Sequence, residues 1–370
     1  MNKGHSAILV SLLALLIAGL FVGRILSEFD WNPSALIKFG EVFTEQNEYA
    51  EDLLGDIVLS PQAGHDGKFF FSQAMDPFYL ESDVHAVYLD RPSYRAQRML
   101  YPTVASLGGL LPPTATAWGL IVVNVLAMGL GAGFTALVAM EMGLARWFGL
   151  AFVLNPGMLA GLAIDGAGVL TTAGLMAGVY YVLKGQLWSA AAALTVAALS
   201  RETMLLGAAG LGLYWIWKHR KIPWALGLPF VGVAAWWAYV HWRLGDGLSQ
   251  DTQALDAPFV GLIEAAQRWG FAPEHFVDAS AAFVLLLASI LIFVRSIRNP
   301  TALGFGVSGF AVLGVLLSAP VWLKYFDSSR ALAPVLTAYV LLVPAASKTE
   351  RMGQRSTADS GDSGDAGSIE

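Results

Sequence analysis

The stretch ATAWGLIVVNVLAMGLGAGFTALVAM, residues 115–140, decides the fold: it contains no Asp, Glu, Lys, Arg or His. As a helix it reaches roughly 39 Å at 1.5 Å per residue, more than the ~30 Å hydrocarbon core of a bilayer. A helix satisfies its own backbone hydrogen bonds, so such a run predicts a membrane span. Working outward, one apolar run precedes it, at 7–23. Eight follow, at 147–164, 167–183, 187–200, 203–217, 223–242, 279–294, 301–319 and 330–346. The reading is an all-α, polytopic helical bundle of about ten spans. Composition agrees, with 56% hydrophobic residues, 14% charged and a mean hydropathy of +0.57, against about a quarter charged in soluble domains. The 39 glycines suit close helix–helix approach in lipid.

Four segments follow from this pattern. Residues 1–26 form the first transmembrane helix, read as an uncleaved anchor because no small-x-small cleavage site follows it. Residues 27–101 are charged, aromatic and punctuated by proline, and make a large loop domain. Residues 102–346 form the bundle, and 347–370 a Ser/Gly/Asp-rich tail expected to be disordered. Lys and Arg in short connections orient the spans. With the N-terminus cytoplasmic, Arg146, Lys184, the Lys218-His219-Arg220-Lys221 cluster, Arg295, Arg298, Lys348, Arg351 and Arg355 all fall inside. Both termini are then cytoplasmic. The outer face receives the loop domain, Asp165, Arg201-Glu202, the 243–278 loop and the 324–330 turn.

Several function classes drop out. The chain has no cysteine, hence no disulfide, thiolate nucleophile or cysteine-ligated metal. A net charge of −6 without a basic patch argues against nucleic acid. His65 and His85 lack a helical metal-ligand spacing, and no metal ligand is assigned. Span interiors without ionisable groups argue against ion-coupled transport. Asn155-Pro156-Gly157 predicts a kinked or broken helix.

The densest chemistry lies in the loop domain: Gly64-His65-Asp66-Gly67-Lys68-Phe69-Phe70-Phe71, then Asp76-Pro77-Phe78-Tyr79, then Asp90-Arg91-Pro92-Ser93-Tyr94-Arg95-Ala96-Gln97-Arg98-Met99-Leu100-Tyr101-Pro102. Arg91, Arg95 and Arg98 are spaced i, i+4, i+7, which on a helix puts three guanidiniums on one face, suited to phosphate or to anionic lipid headgroups. Pro102 ends or kinks that helix. Asp66 and Asp90 also suit helix N-caps. Lys324, Asp327 and Arg330 read as an ion-pair ladder or as membrane-edge cations, while adjacent Arg201 and Glu202 each need a partner elsewhere. The aromatic residues, Tyr94 among them, fit either an interface belt or stacking on sugar or prenyl chain.

Residues 64–102 resemble the bacterial family of cell-surface glycopolymer formation proteins, with its D-G-x-[FY]-[FY]…D-P…D-x-P-x-Y-R-x-Q-R-x-L-Y-P pattern. That family is similar to the GT-C superfamily of multi-span glycosyltransferases. Weaker echoes occur around Arg201 and in residues 325–334. The resemblance implies a GT-C-like bundle in the bacterial plasma membrane with an extracytoplasmic active site. The donor would be a polyprenyl-phosphate sugar and the acceptor a surface glycan or lipid-linked saccharide. It implies Asp66 as general base, with Asp76, Asp83 and Asp90 as alternatives, because Asp66 lies some forty residues beyond the first span. Arg95 and Arg98 become phosphate ligands. Arg91, Tyr94, Asp76, Arg201, Glu202, Lys324 and Arg330 become further substrate contacts. A divalent metal is left open. A flippase for lipid-linked saccharide and a non-catalytic scaffold of a glycan-assembly complex are the rival readings.

Overall fold

A computed structural model of the chain describes residues 2–245, 255–270 and 272–345. The predicted tail, with Lys348, Arg351 and Arg355, lies outside the described residues, as does part of the 243–278 loop. Among the described residues the regular structure is helical apart from one two-residue parallel pair, β1 (Phe39–Gly40) with β2 (Leu59–Ser60), and an isolated antiparallel bridge between Leu255 and Leu317.

Helix α1 (Lys3–Leu26) leads into a loop domain of short pieces: α2 (Ser34–Ile37), β1, α3 (Thr44–Leu54), β2, α4 (Gly67–Met75), α5 (Ser82–His85), α6 (Pro92–Arg95) and α7 (Leu100–Ala105). The bundle follows as α8 (Pro113–Glu141), α9 (Pro156–Leu162), α10 (Gly168–Leu183), α11 (Leu187–Ser200), α12 (Leu205–His219) and α13 (Leu228–Leu244). It closes with α14 (Val260–Trp269), α15 (Phe276–Arg298), α16 (Ala302–Leu316), α17 (Ala319–Trp322), α18 (Tyr325–Ala331) and α19 (Ala333–Ala345).

By length and composition, three helical segments can each cross a membrane: Lys3–Leu26, Pro113–Glu141 and Pro273–Arg298; the α18–α19 pair, bent by 68°, makes a fourth if it counts as one span. Helices α10, α11 and α16 are apolar but only 14–16 residues long, roughly 21–24 Å. An apolar run in the sequence overstates helix length wherever part of it is turn. The predicted span at 147–164 is the main correction. It is a 3-10 turn (Arg146–Ala151) followed by the seven-residue α9. Asn155 explains the break: its side-chain oxygen accepts from Gly157 N at 2.9 Å, while its amide donates to the Ala333 carbonyl (2.9 Å) and to Thr337 (3.0 Å).

Helix α1 buries Val10, Ala14, Ala18 and Val22, one residue per turn, and turns Ile8, Leu12, Leu16 and Leu20 outward. Against it α8 presents Gly129 and Gly133. A Cβ on Gly129 would stand 2.6 Å from the Leu15 side chain, and one on Gly133 would strike the Ser11 hydroxyl. Glycines four apart thus let the two helices meet closely, as in membrane helix pairs. Helix α15 likewise exposes Phe283, Leu287 and Ile290. Exposed apolar faces on long helices have a hydrocarbon environment as their physical explanation.

The polar groups collect at opposite ends. Lys3 and Lys184 both reach Glu141, at 3.0 and 3.4 Å. At the other end, the loop domain meets the α9–α10 turn, the α11–α12 turn and α18, through Asp66, Arg98, Glu202 and Arg330.

Candidate functional site

Asp66 sits at the start of α4. Gly67 fixes its place: a Cβ there would lie 2.5 Å from the Ile37 carbonyl oxygen and 2.6 Å from that of Ile164, so only glycine lets α4 wedge between α2 and the α9–α10 turn. The Asp66 carboxylate makes no cap bond. It accepts instead from Arg95 Nη1 at 2.8 Å and from Arg330 Nη2 at 3.4 Å. Gly157 lets α9 press against the Ser329 carbonyl oxygen, where any Cβ would collide, and this seats Arg330 beside Asp66.

The arginines are held from behind. Arg95 donates from Nε to Asp90 Oδ1 (2.8 Å) and from Nη2 to Oδ2 (3.0 Å), leaving Nη1 for Asp66. Its guanidinium lies 4.0 Å from the centre of the Phe69 ring. Arg98 donates from Nε and Nη2 to the two Glu202 oxygens, both at 3.3 Å, and also to the Tyr94 hydroxyl. Arg330 has Asp327 at 3.6 Å as a second partner. Arg201 differs from all three, because its buried Nε has no hydrogen-bond partner. Asp66, Arg98, Arg201 and Arg330 line a cavity of about 30 Å³ with Phe70 and the glycines at 161, 166 and 168. That is room for about one water molecule.

Burial alone would raise the pKa of Asp66, but the guanidiniums of Arg330, Arg95 and Arg98 outweigh it and hold the carboxyl well below its usual range. Glu202 behaves alike, kept ionised against burial by Arg98 and then Arg201. Burial, followed by the neighbouring Arg98 charge, pulls Arg201 down to about 10, still protonated at neutral pH. His65, with its ring 5.3 Å from that of Phe326, is lowered by burial and by Arg330, so it stays neutral.

Several sequence expectations need correction. Arg91, Arg95 and Arg98 do not form one helical stripe, since α6 is a single turn ending at Arg95. Arg95 and Arg98 still converge, each led by its own carboxylate. The charge of Arg91 acts on Asp90. Asp90 grips Arg95 with both oxygens, and the N-cap of α6 is Arg91. Asp76 lies at the far end of α4 from Asp66. Its oxygens accept from Leu80 N (2.8 Å) and Glu81 N (2.7 Å), so it shapes a turn and not the site. Lys324 is exposed at the start of α18 and does not line the cavity, leaving Arg330 and Asp327 as the paired part of the predicted ladder.

Sequence reasoning missed two features. In the α9–α10 turn, Asp165 is fully buried with a left-handed φ of 47°. Neither of its oxygens is in hydrogen-bonding geometry, although the Asn124 amide lies beside it. Burial pushes its pKa well above the ordinary carboxylate value. Asn124, inside α8, donates to the Tyr101 hydroxyl at 2.7 Å. An amide in the middle of an otherwise apolar span was the available signal. The second feature is an apolar groove of about 790 Å³ between α15 and α19, lined among others by Trp147, Leu154, Val284, Leu336 and Ser329.

Among the described residues no three Asp, Glu or His side chains converge to hold a metal ion. Every carboxylate oxygen of Asp66, Asp90 and Glu202 meets a guanidinium. Set against protein-family models, curated proteins and solved structures, the chain matches none.

Proposed function

We propose that this protein is a multi-pass bacterial plasma-membrane glycosyltransferase of GT-C type, which moves a sugar from a polyprenyl-phosphate donor to a cell-surface glycan or lipid-linked acceptor. The observation that carries the reading is the convergence of Arg95, Arg98, Arg201 and Arg330 around Asp66, in a molecule that also has a large apolar groove lined by Ser329, next to Arg330 in sequence. A long-chain phospholipid needs both parts: a slot for its tail and cations for its headgroup. In this reading the chain crosses the bilayer ten times, counting the broken segment at 147–164, with both termini cytoplasmic and the cluster outside. The pairing of Lys3 and Lys184 with Glu141 at the opposite end supports that orientation.

In the proposed reaction the acceptor hydroxyl oxygen attacks the anomeric carbon. The bond from that carbon to the phosphate oxygen breaks, and the electron pair leaves on the polyprenyl phosphate. Asp66 takes the hydroxyl proton. A carboxylate tied to guanidiniums is a poor base, so the incoming phosphate has a second task. It takes over the donors of Arg95 and Arg330, and Asp66, freed of them, gains basicity as the substrate seats. Cations aimed at the leaving phosphate supply the electrostatic part of the barrier reduction.

The test is transfer from undecaprenyl-phosphate sugars by purified protein in nanodiscs. Asp66→Asn and Arg95→Ala should each lower the rate about a hundredfold to a thousandfold. Wild-type rates in both variants, or no transfer with any donor, would remove the proposal.

A further inference from the structure

A second cavity, of about 280 Å³, opens on the loop domain between the start of α3 and the 86–90 segment. It shares no lining residue with the Asp66 cavity, yet the two are one guanidinium apart. Asp90 lines the second cavity and Asp66 the first, and Arg95 binds both carboxylates. Phe69, which also lines the second cavity, carries the Arg95 guanidinium on its ring face. Arg95 therefore links the two cavities, bonded to one lining carboxylate of each.

The geometry points to this cavity as the binding site for a single neutral or amino-sugar ring, the acceptor end of the transfer proposed above, on which the assignment rests. Three aromatic rings line it, those of Phe43, Phe69 and Tyr88; each already has a neighbour on one face, Lys68, Arg95 and Tyr49 respectively, so a pyranose C–H face would pack on the opposite one. Hydroxyl partners stand beside them in Thr44, Glu45, Gln46 and Asp90. Asp90 gives Arg95 one bond per oxygen, which leaves lone pairs free for a sugar hydroxyl. No cationic side chain lines the cavity. Lys68 lies behind it, 2% exposed, its ammonium 3.4 Å from the Phe43 ring centre and bonded to the Ala63 carbonyl at 2.6 Å. Glu45 adds an exposed carboxylate, and Arg95, the nearest guanidinium, is already taken up by Asp90 and Asp66, a pattern that disfavours a phosphate or a uronic acid. Its volume lies near the lower bound for small-molecule sites, about 300 Å³, which suits one sugar ring better than a long oligosaccharide.

The experiment uses the full chain in nanodiscs with two probes: a panel of methyl hexosides and methyl N-acetylhexosaminides read by saturation-transfer NMR, and undecaprenyl phosphate read by tryptophan quenching. Wild type should take up at least one methyl glycoside. Val87→Trp, at a rim position that is 62% exposed, fills the cavity and should weaken that binding about tenfold or more while undecaprenyl phosphate binds as before. Glu45→Gln, also at the exposed rim, should weaken it without filling anything, and circular dichroism checks that both variants are folded. If no glycoside binds wild type while undecaprenyl phosphate does, the cavity assignment fails and the donor reading stands. If glycosides bind and undecaprenyl phosphate does not, the donor reading fails and the cavity keeps its ligand. Glycoside binding that neither variant changes overturns the assignment.

Discussion

Glu202 is the residue whose removal the site should tolerate least. Its two oxygens hold Arg98 at 3.3 Å each, with the two side chains only 20% and 11% exposed. Arg201 stands beside them with an unpartnered Nε, already displaced in pKa by burial and by the Arg98 charge. Glu202→Gln therefore leaves two guanidiniums facing each other with no anion between them. Removing one partner of a buried pair costs about 3–5 kcal/mol, and the residual water contact here places the expected loss near the lower end, about 3 kcal/mol. Arg98→Gln relieves the repulsion, so the double variant should lose about 1–3 kcal/mol less than the sum of the singles. The chain has 12 tryptophans and no cysteine, so intrinsic fluorescence during SDS unfolding is the natural readout. A Glu202→Gln loss below about 0.5 kcal/mol, or strict additivity in the cycle, would refute the picture of a charge-balanced cluster.

Three further outcomes follow from the same geometry. Gly67→Ala should destabilise by about 1–3 kcal/mol and abolish transfer, because its Cβ collides with the Ile37 and Ile164 carbonyls; a variant with wild-type melting and activity would contradict the wedge. His65 and Asp66 are both depressed in the fold relative to 6.5 and 3.8, so their stability contributions exist above those values and are lost on acidification. Fluorescence melts should thus weaken as pH falls below about 6.5 and again below about 4, with His65→Gln removing the upper step; greater stability in acid would be the opposite sign. Asp165 is raised, so the unfolded chain releases its proton more readily, and Asp165→Asn should stabilise the protein at pH 7 but not below about pH 4. Destabilisation by this substitution at neutral pH, measured by the same melts, would mean that the carboxylate is ionised in the fold.

What residue order alone decides here is local or statistical. An uncharged run of 26 residues at 115–140 becomes α8 because no other conformation satisfies its backbone in an apolar setting. Asn155-Pro156-Gly157 announces a break, and the break is there. Lys and Arg placement groups Asp165, Arg201-Glu202 and the 324–330 turn with the loop domain, and Glu202 and Arg330 contact that domain. The neighbouring positions of Arg201 and Glu202 imply outside partners, which proves true for Glu202 through Arg98. The run at 147–164 is a broken segment and not one continuous helix, because hydropathy records apolar character and not helix continuity. The one-face arginine stripe failed because it assumed a helix longer than the single turn Pro92 begins.

Only the tertiary structure selects which acid meets which base. Asp66 finds Arg95 across 29 residues and Arg330 across 264, and Arg98 finds Glu202 across 104. Those pairings are set by close backbone approaches at Gly67 and Gly157, which no spacing rule encodes. The roles of Asp76 and Asp90, alike as candidates in sequence, separate for the same reason: one faces main-chain amides and the other a guanidinium. A carboxylate's chemistry is fixed by the field around it, and that field is assembled from chain segments that are strangers in sequence.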